Sequence, residues 1–417
     1  MGFAWDVFGD GSTSLRSGFG LLYHLGSFGA IRVTSADGIP PFGSRSTVTS
    51  NVRFPRTVIP PEAVGKEISV APDYHMQQPH VLQYHLTIDR QLPASMVVSV
   101  SYAGSRGINL FEAQDGNPTV PTRVNGREFW TGTDPRINPN WGFVELRTTG
   151  ADSWYNSLQF GLQKRLSHGL QFQSSYTYSK VLDTPQGQQN SGESGGGNRN
   201  AYGVNPSNRK YDKGPADFDH AHVWAFNLLE QLPSPGLPGI GRILDGWRVG
   251  SIVKIQTGQR FTPILSGNRS RSQVQNGSQN DRPDLVPGRK PDDIILGGAN
   301  RYFDPTAFVV QPAGFLGTAS RNMLTGPGQI NVDFSITKHF PLRGLGEGTG
   351  LEFRTEIFNL FNRANFFIPI NGAQVYTGTA TVPAPTATSA TPLATAGQIV
   401  QTLGTSRQLQ FALKLIF

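Results

Sequence analysis

No cysteine occurs among the 417 residues, which removes disulfide frameworks, thiolate nucleophiles and cysteine-based zinc sites together. No apolar run approaches the roughly 18 residues that a membrane-spanning helix needs, so a helical membrane protein is excluded. Charge is scarce as well: 16% of residues are charged and 37% hydrophobic, both below ordinary globular usage. Gly, Ser, Asn, Gln and Thr fill the difference. The formal charge of +7 is spread as single Lys and Arg residues with no dense basic run, so the electrostatic footprint of a nucleic-acid-binding protein is missing.

What is present is alternation of period two. At the C-terminus Leu409, Phe411, Leu413, Leu415 and Phe417 fall on one face, with Gln408, Gln410 and Lys414 on the other. About eleven segments behave this way: Gly2–Phe8, Ser12–Tyr23, Val81–Arg90, Met96–Gly104, Trp154–Leu166, Leu170–Ser179, Val223–Leu232, Trp247–Thr257, Ile330–Phe340, Leu351–Phe361 and Arg407–Phe417. In the tenth segment the pattern fails where Phe358 and Leu360 reach the polar face, which predicts that the strand leaves the bilayer there. Alternation alone also fits a half-buried strand of a soluble sandwich. However, a strand of about ten residues, tilted about 40°, stands near 25 Å tall, the height of the apolar band of an outer-membrane barrel.

The connections decide between the two. Short links at 9–11, 92–95, 167–169, 233–245 and 341–350 alternate with long polar stretches at 24–80, 105–153, 180–219, 258–329 and 362–406. Such sorting is expected when hairpins turn on the periplasmic side and loops project outside. The predicted fold is therefore all-β: a transmembrane antiparallel β-barrel in the bacterial outer membrane, embedded in lipid, its basic loops facing anionic lipopolysaccharide. Open edges cost several kcal/mol per unpaired backbone group in lipid, and bacterial single-chain barrels have even strand numbers. About eleven strands is half of the 22-stranded class, so residues 1–417 are expected to form a single partial barrel domain, the distal half. Residues 1–6 also lack the charged and apolar regions of a signal peptide.

Several strings resemble the C-terminal barrel of TonB-dependent receptors, in the Oar-like branch that carries a carboxypeptidase-regulatory-like domain ahead of its plug. They are Tyr155-Asn156-Ser157-Leu158-Gln159, Tyr176-Thr177-Tyr178-Ser179-Lys180, Asp217-Phe218-Asp219-His220, Gly246-Trp247, Gln256-Thr257-Gly258 and Phe303-Asp304-Pro305 with Phe308. The most specific is Arg354-Thr355-Glu356-Ile357-Phe358-Asn359-Leu360-Phe361-Asn362 with Asn365-Phe366. The resemblance implies energised uptake of a solute across the outer membrane and makes Phe417 the signal read by the barrel-assembly machinery. The plug, the TonB box and the regulatory-like domain have no counterpart in these residues, so the TonB complex would be engaged only through the missing N-terminal part.

Motifs that suggest other chemistry have simpler readings. Gly192-Glu193-Ser194-Gly195-Gly196 fits a nucleophile elbow but lies in the low-complexity run Gln186–Asn200, without the strand and helix that turn needs. Gly344 to Gly350 falls between two strands, with no helix N-terminus to cradle a phosphate. Asp217, Asp219, His220 and His222 are the best metal-like cluster, but no second cluster completes a shell. No catalytic residue, metal or cofactor is assigned. If a solute binds, the candidates are the lumen-facing residues Arg248, Lys254, Asp333, Arg354 and Glu356, and the loop aromatics Trp130, Trp141, Tyr302 and Phe303. Two further classes stay open: a surface adhesion or structural protein using the barrel as an anchor, and a soluble all-β enzyme or lectin.

Overall fold

The computed structural model describes residues 1–23, 68–184, 203–233, 245–274, 280–342, 349–369, 373–377 and 391–417. Eleven strands follow one another in a continuous antiparallel meander: β1 (Gly2–Asp6), β2 (Thr13–Tyr23), β3 (His80–Leu92), β4 (Met96–Asp115), β5 (Val144–Ser167), β6 (Leu170–Asp183), β7 (His222–Gln231), β8 (Trp247–Gln256), β9 (Gln329–Pro341), β10 (Gly350–Phe358) and β11 (Gln408–Ile416). Each corresponds to one alternating segment of the sequence. No helix among the described residues is long and apolar enough to cross a membrane.

Register puts the apolar positions together. Leu351, Phe353, Thr355 and Ile357 of β10 lie opposite Leu415, Leu413, Phe411 and Leu409 of β11, and Phe334 of β9 lies opposite Ile357. The same face continues through Ser251, Leu228, Phe172 and Lys164 to Met96, because each pairing preserves the parity of the pleat. Among the described residues no protein layer covers this face: Phe411 is 65% and Leu413 67% exposed. Such exposure is untenable in water over so wide a surface and ordinary against hydrocarbon.

The short links are tight. Between β5 and β6, His168 and Gly169 both adopt positive φ, at 52° and 79°, the pair that a two-residue hairpin matching strand twist requires. A Cβ on Gly169 would sit 2.8 Å from the Gln231 carbonyl oxygen of the next strand, so the turn also needs glycine for space. The Gly344–Gly350 stretch and the Gly192–Gly196 string lie outside the described residues, apart from Thr349 and Gly350, the latter opening β10.

The long links differ from expectation. Residues 105–153 are not simply loop: β4 runs 20 residues and β5 24, pairing beyond a break near Leu110 as far as Asp115 opposite Glu145. Described residues of the remaining stretches fold on one another into a cap. Ile264–Ser266 pairs in parallel with Gln374–Thr377, joining the β8–β9 and β10–β11 links, and Arg260–Phe261 pairs with Leu324–Thr325. Phe261, Leu265, Phe303, Phe308 and Leu324 are fully buried in a core made entirely of link residues. Strand β10 stops at Phe358, where the alternation breaks, and Asn359 turns the chain with φ 52°.

Candidate functional site

The polar face of β7 to β10 gathers the charged candidates. Arg248 of β8 reaches across β9 and donates to Glu352 of β10 at 2.9 Å, and Arg354 stands 3.6 Å from Glu356. Asp333 of β9 is held firmly: its Oδ1 accepts from the Asn331 side chain and from the Asn359 backbone N–H, both at 2.9 Å. That second bond ties the polar face to the residue where β10 ends.

Between these strands lies a cavity of ≈ 230 Å³, lined on the polar face by Asn227, Gly250, Ile252, Asp333, Ser335, Glu356 and Phe358. Its floor exists because β8 carries glycine opposite Ser335: a Cβ on Gly250 would lie 2.5 Å from Ser335 Oγ. The structure thus brings Asp333 and Glu356 into one hollow. Arg248, Lys254 and Arg354 share the face without lining the cavity.

Placement of the loop aromatics departs from the sequence expectation. Trp130 is 2%, Tyr302 6% and Phe303 0% exposed, so these three side chains are interior to the cap and not displayed to a solute. Phe303 packs edge-on to Phe308, and the Tyr302 hydroxyl donates to the Thr325 carbonyl at 2.9 Å. Burial pushes the Tyr302 phenol up to about 12. Trp130 sits with Val204 and Leu316. Only Trp141 keeps substantial exposure, with Asn117 Nδ2 donating to its carbonyl at 2.9 Å. Phe417 follows β11 and is exposed.

Sequence reasoning did not find the ion pairs that knit the cap. Arg282 donates to Asp212 at 2.8 Å with both side chains buried, and its guanidinium stacks 4.1 Å from the Tyr211 ring. Arg321 pairs with Asp183 at the top of β6 and also donates to the Asp212 carbonyl. Arg209 pairs with Glu112 at 2.7 Å. Partners stand tens of residues apart in the chain, so no local spacing announces them. Desolvation dominates the carboxylates: burial raises Glu112 to about 7, Asp183 to about 6 and Asp281 to about 7, against the opposing pull of arginines or hydrogen bonds.

The metal-like quartet is divided among other partners. Asp219 accepts from Arg260 Nε at 3.1 Å and from the Val181 N–H at 2.8 Å. The His220 ring bonds the Thr257 carbonyl and the His222 ring the Tyr176 hydroxyl, each at 2.7 Å. Among the described residues no group of three or more potential ligands could hold a metal ion.

No curated protein matches the sequence. Among solved structures, the outer membrane transporter YddB from Escherichia coli is similar over 99% of this chain and 40% of its own, at 9% identity and a TM-score of 0.49. The pyoverdine receptor FpvA from Pseudomonas aeruginosa covers 100% of this chain and 35% of its own (11% identity, TM-score 0.43). A mutant of the ferric enterobactin receptor PfeA, also from Pseudomonas aeruginosa, covers 100% and 39% (10% identity, TM-score 0.45). The chain therefore spans two fifths or less of the length of these proteins. A family model described as "Outer membrane beta barrel domain" matches residues 1–410, and with its lipid-facing apolar wall and opposed polar face this chain belongs to that family of the bacterial outer membrane.

Proposed function

We propose that this chain is the distal barrel portion of a TonB-dependent, Oar-like transporter that takes up a solute across the outer membrane, with no catalytic chemistry of its own. One observation carries the reading: on the face opposite the apolar wall, β8 to β10 hold fixed charges, Arg248 with Glu352, Asp333, and Arg354 with Glu356. Charged side chains of this kind line an aqueous passage and would have no purpose in a dry anchor. The repeated short and long links fit the same orientation, with the cap outside. Gating and energy input belong to the parent's plug and TonB box, and assembly to machinery that reads Phe417.

The cap supports a second reading, adhesion. Val120 and Ile137 of the β4–β5 link are 49% and 66% exposed beside the Thr119–Arg136 bridge, on a backbone fixed by the Ile137 N–H donating to the Pro118 carbonyl at 3.1 Å. The two readings separate in cells deleted for the parent gene and complemented with versions possessing or lacking the plug. Transport predicts that growth on one or more large solutes, drawn from iron chelates and oligosaccharides, is restored only by the version with the plug. Growth unaffected by the deletion on every solute, together with lost cell contact, would leave adhesion as the function.

A further inference from the structure

We propose that the lumen cavity between β7, β8, β9 and β10 binds a small organic cation carried on an apolar body. The lining supports this from two directions. Ile252 is 60% and Phe358 38% exposed, two large apolar side chains on a face where the neighbouring positions hold Asn227, Ser335 and Thr337. Asp333 lies directly opposite Ile252, and Glu356 directly opposite Ser335, so both carboxylates border the apolar pair.

The carboxylates retain acceptor capacity. Both bonds to Asp333 fall on Oδ1, and among the described residues Oδ2 receives none. The Arg354 guanidinium stands 3.6 Å from Glu356, beyond hydrogen-bond reach, and is itself 45% exposed. Asn227 and Ser335 supply neutral polar atoms, and among the described residues no Lys or Arg lines the hollow; Lys254 and Arg354 share the face without lining it. An ammonium or amidinium group would meet two carboxylates there, while its apolar body covered Ile252 and Phe358. Charge-assisted contacts of this kind are about twice as strong as neutral ones. At ≈ 230 Å³ the cavity lies below the roughly 300–1,000 Å³ of drug-sized pockets, so it holds a small molecule or one arm of a larger one. Gly250 keeps the floor open, since any side chain there would displace Ser335.

This site requires only that the polar face be reachable from water and does not depend on transport. The test uses the protein purified in detergent from outer membranes, titrated calorimetrically with benzylammonium at about pH 7. Benzyl alcohol serves as the neutral analogue and tetramethylammonium as a cation without the ring. Saturable binding of benzylammonium alone is expected, weakened about tenfold by Glu356→Gln and severalfold by Ile252→Ser. Asp333→Asn is avoided, because it would also disturb the Asn359 turn. Heat-modifiable migration in gels checks that each variant keeps its barrel, and a variant that loses it is replaced by Phe358→Ser. Equal binding of benzyl alcohol, binding unchanged in folded Glu356→Gln, or no binding of benzylammonium would each overturn the assignment.

Discussion

The wall and the cap solve opposite problems with one chain. In the wall, large apolar side chains such as Phe411 and Leu413 are exposed and the charges lie on the opposite face of the sheet. In the cap, Phe261, Phe303 and Phe308 are fully buried and so are several arginines and aspartates. Lipid completes the first, whereas the second must complete itself with a packed core and paired charges. The same ion pair should therefore be worth very different amounts in the two regions.

Arginine truncation tests that difference most severely. Arg282→Ala strands the buried Asp212 carboxylate and is expected to destabilise the cap by about 3–5 kcal/mol, read as rapid protease cleavage of the links on intact cells. Arg248→Ala removes a half-exposed partner of Glu352 and should cost at most about 1 kcal/mol, with no new cleavage. Equal sensitivity of the two variants would erase the distinction. A charge added to the wall comes next: Leu413→Arg on the lipid face should cost about 2–4 kcal/mol in urea unfolding from vesicles, whereas Gln410→Arg, on the opposite face of the same strand, should be close to neutral.

Acidity gives the mildest contrast. Glu112, Asp183 and Asp281 are outside the apolar band, and burial raises all three to about 6 or 7. The folded cap thus holds these protons more tightly than the unfolded chain. The stability they contribute is complete below the ordinary carboxylate range and is lost as pH rises through about 6 to 7. Asp73 and Asp304, lowered chiefly by hydrogen bonds that offset their desolvation, act in the reverse sense but titrate below that window. Protease resistance of the cap is expected to be greater near pH 5 than near pH 8, with the wall's unfolding unchanged across the same range.

The contrast also explains what could be read from the chain. Every wall strand was legible, because lipid imposes strict alternation on each strand separately; even the end of β10 at Phe358 was marked by the alternation breaking. The cap was not, because its core unites residues as distant as Phe261 and Tyr376, and burial there follows no local period. Trp130, Tyr302 and Phe303 sit in polar stretches and read as displayed aromatics, yet they are the interior of a small folded body. Parity placed the charged candidates of the wall on the face opposite the apolar positions, and the register keeps them there. That Asp333 and Glu356 share a hollow depends on Gly250, one strand and two strands away, respectively, which only the register reveals.

The length of β4 and β5 reaches beyond architecture. At 20 residues, β4 rises roughly 50 Å when tilted about 40°, twice the apolar band. This paired extension would lift the β4–β5 link clear of the headgroups, within reach of antibodies, phage fibres or neighbouring cells too bulky to approach the bilayer.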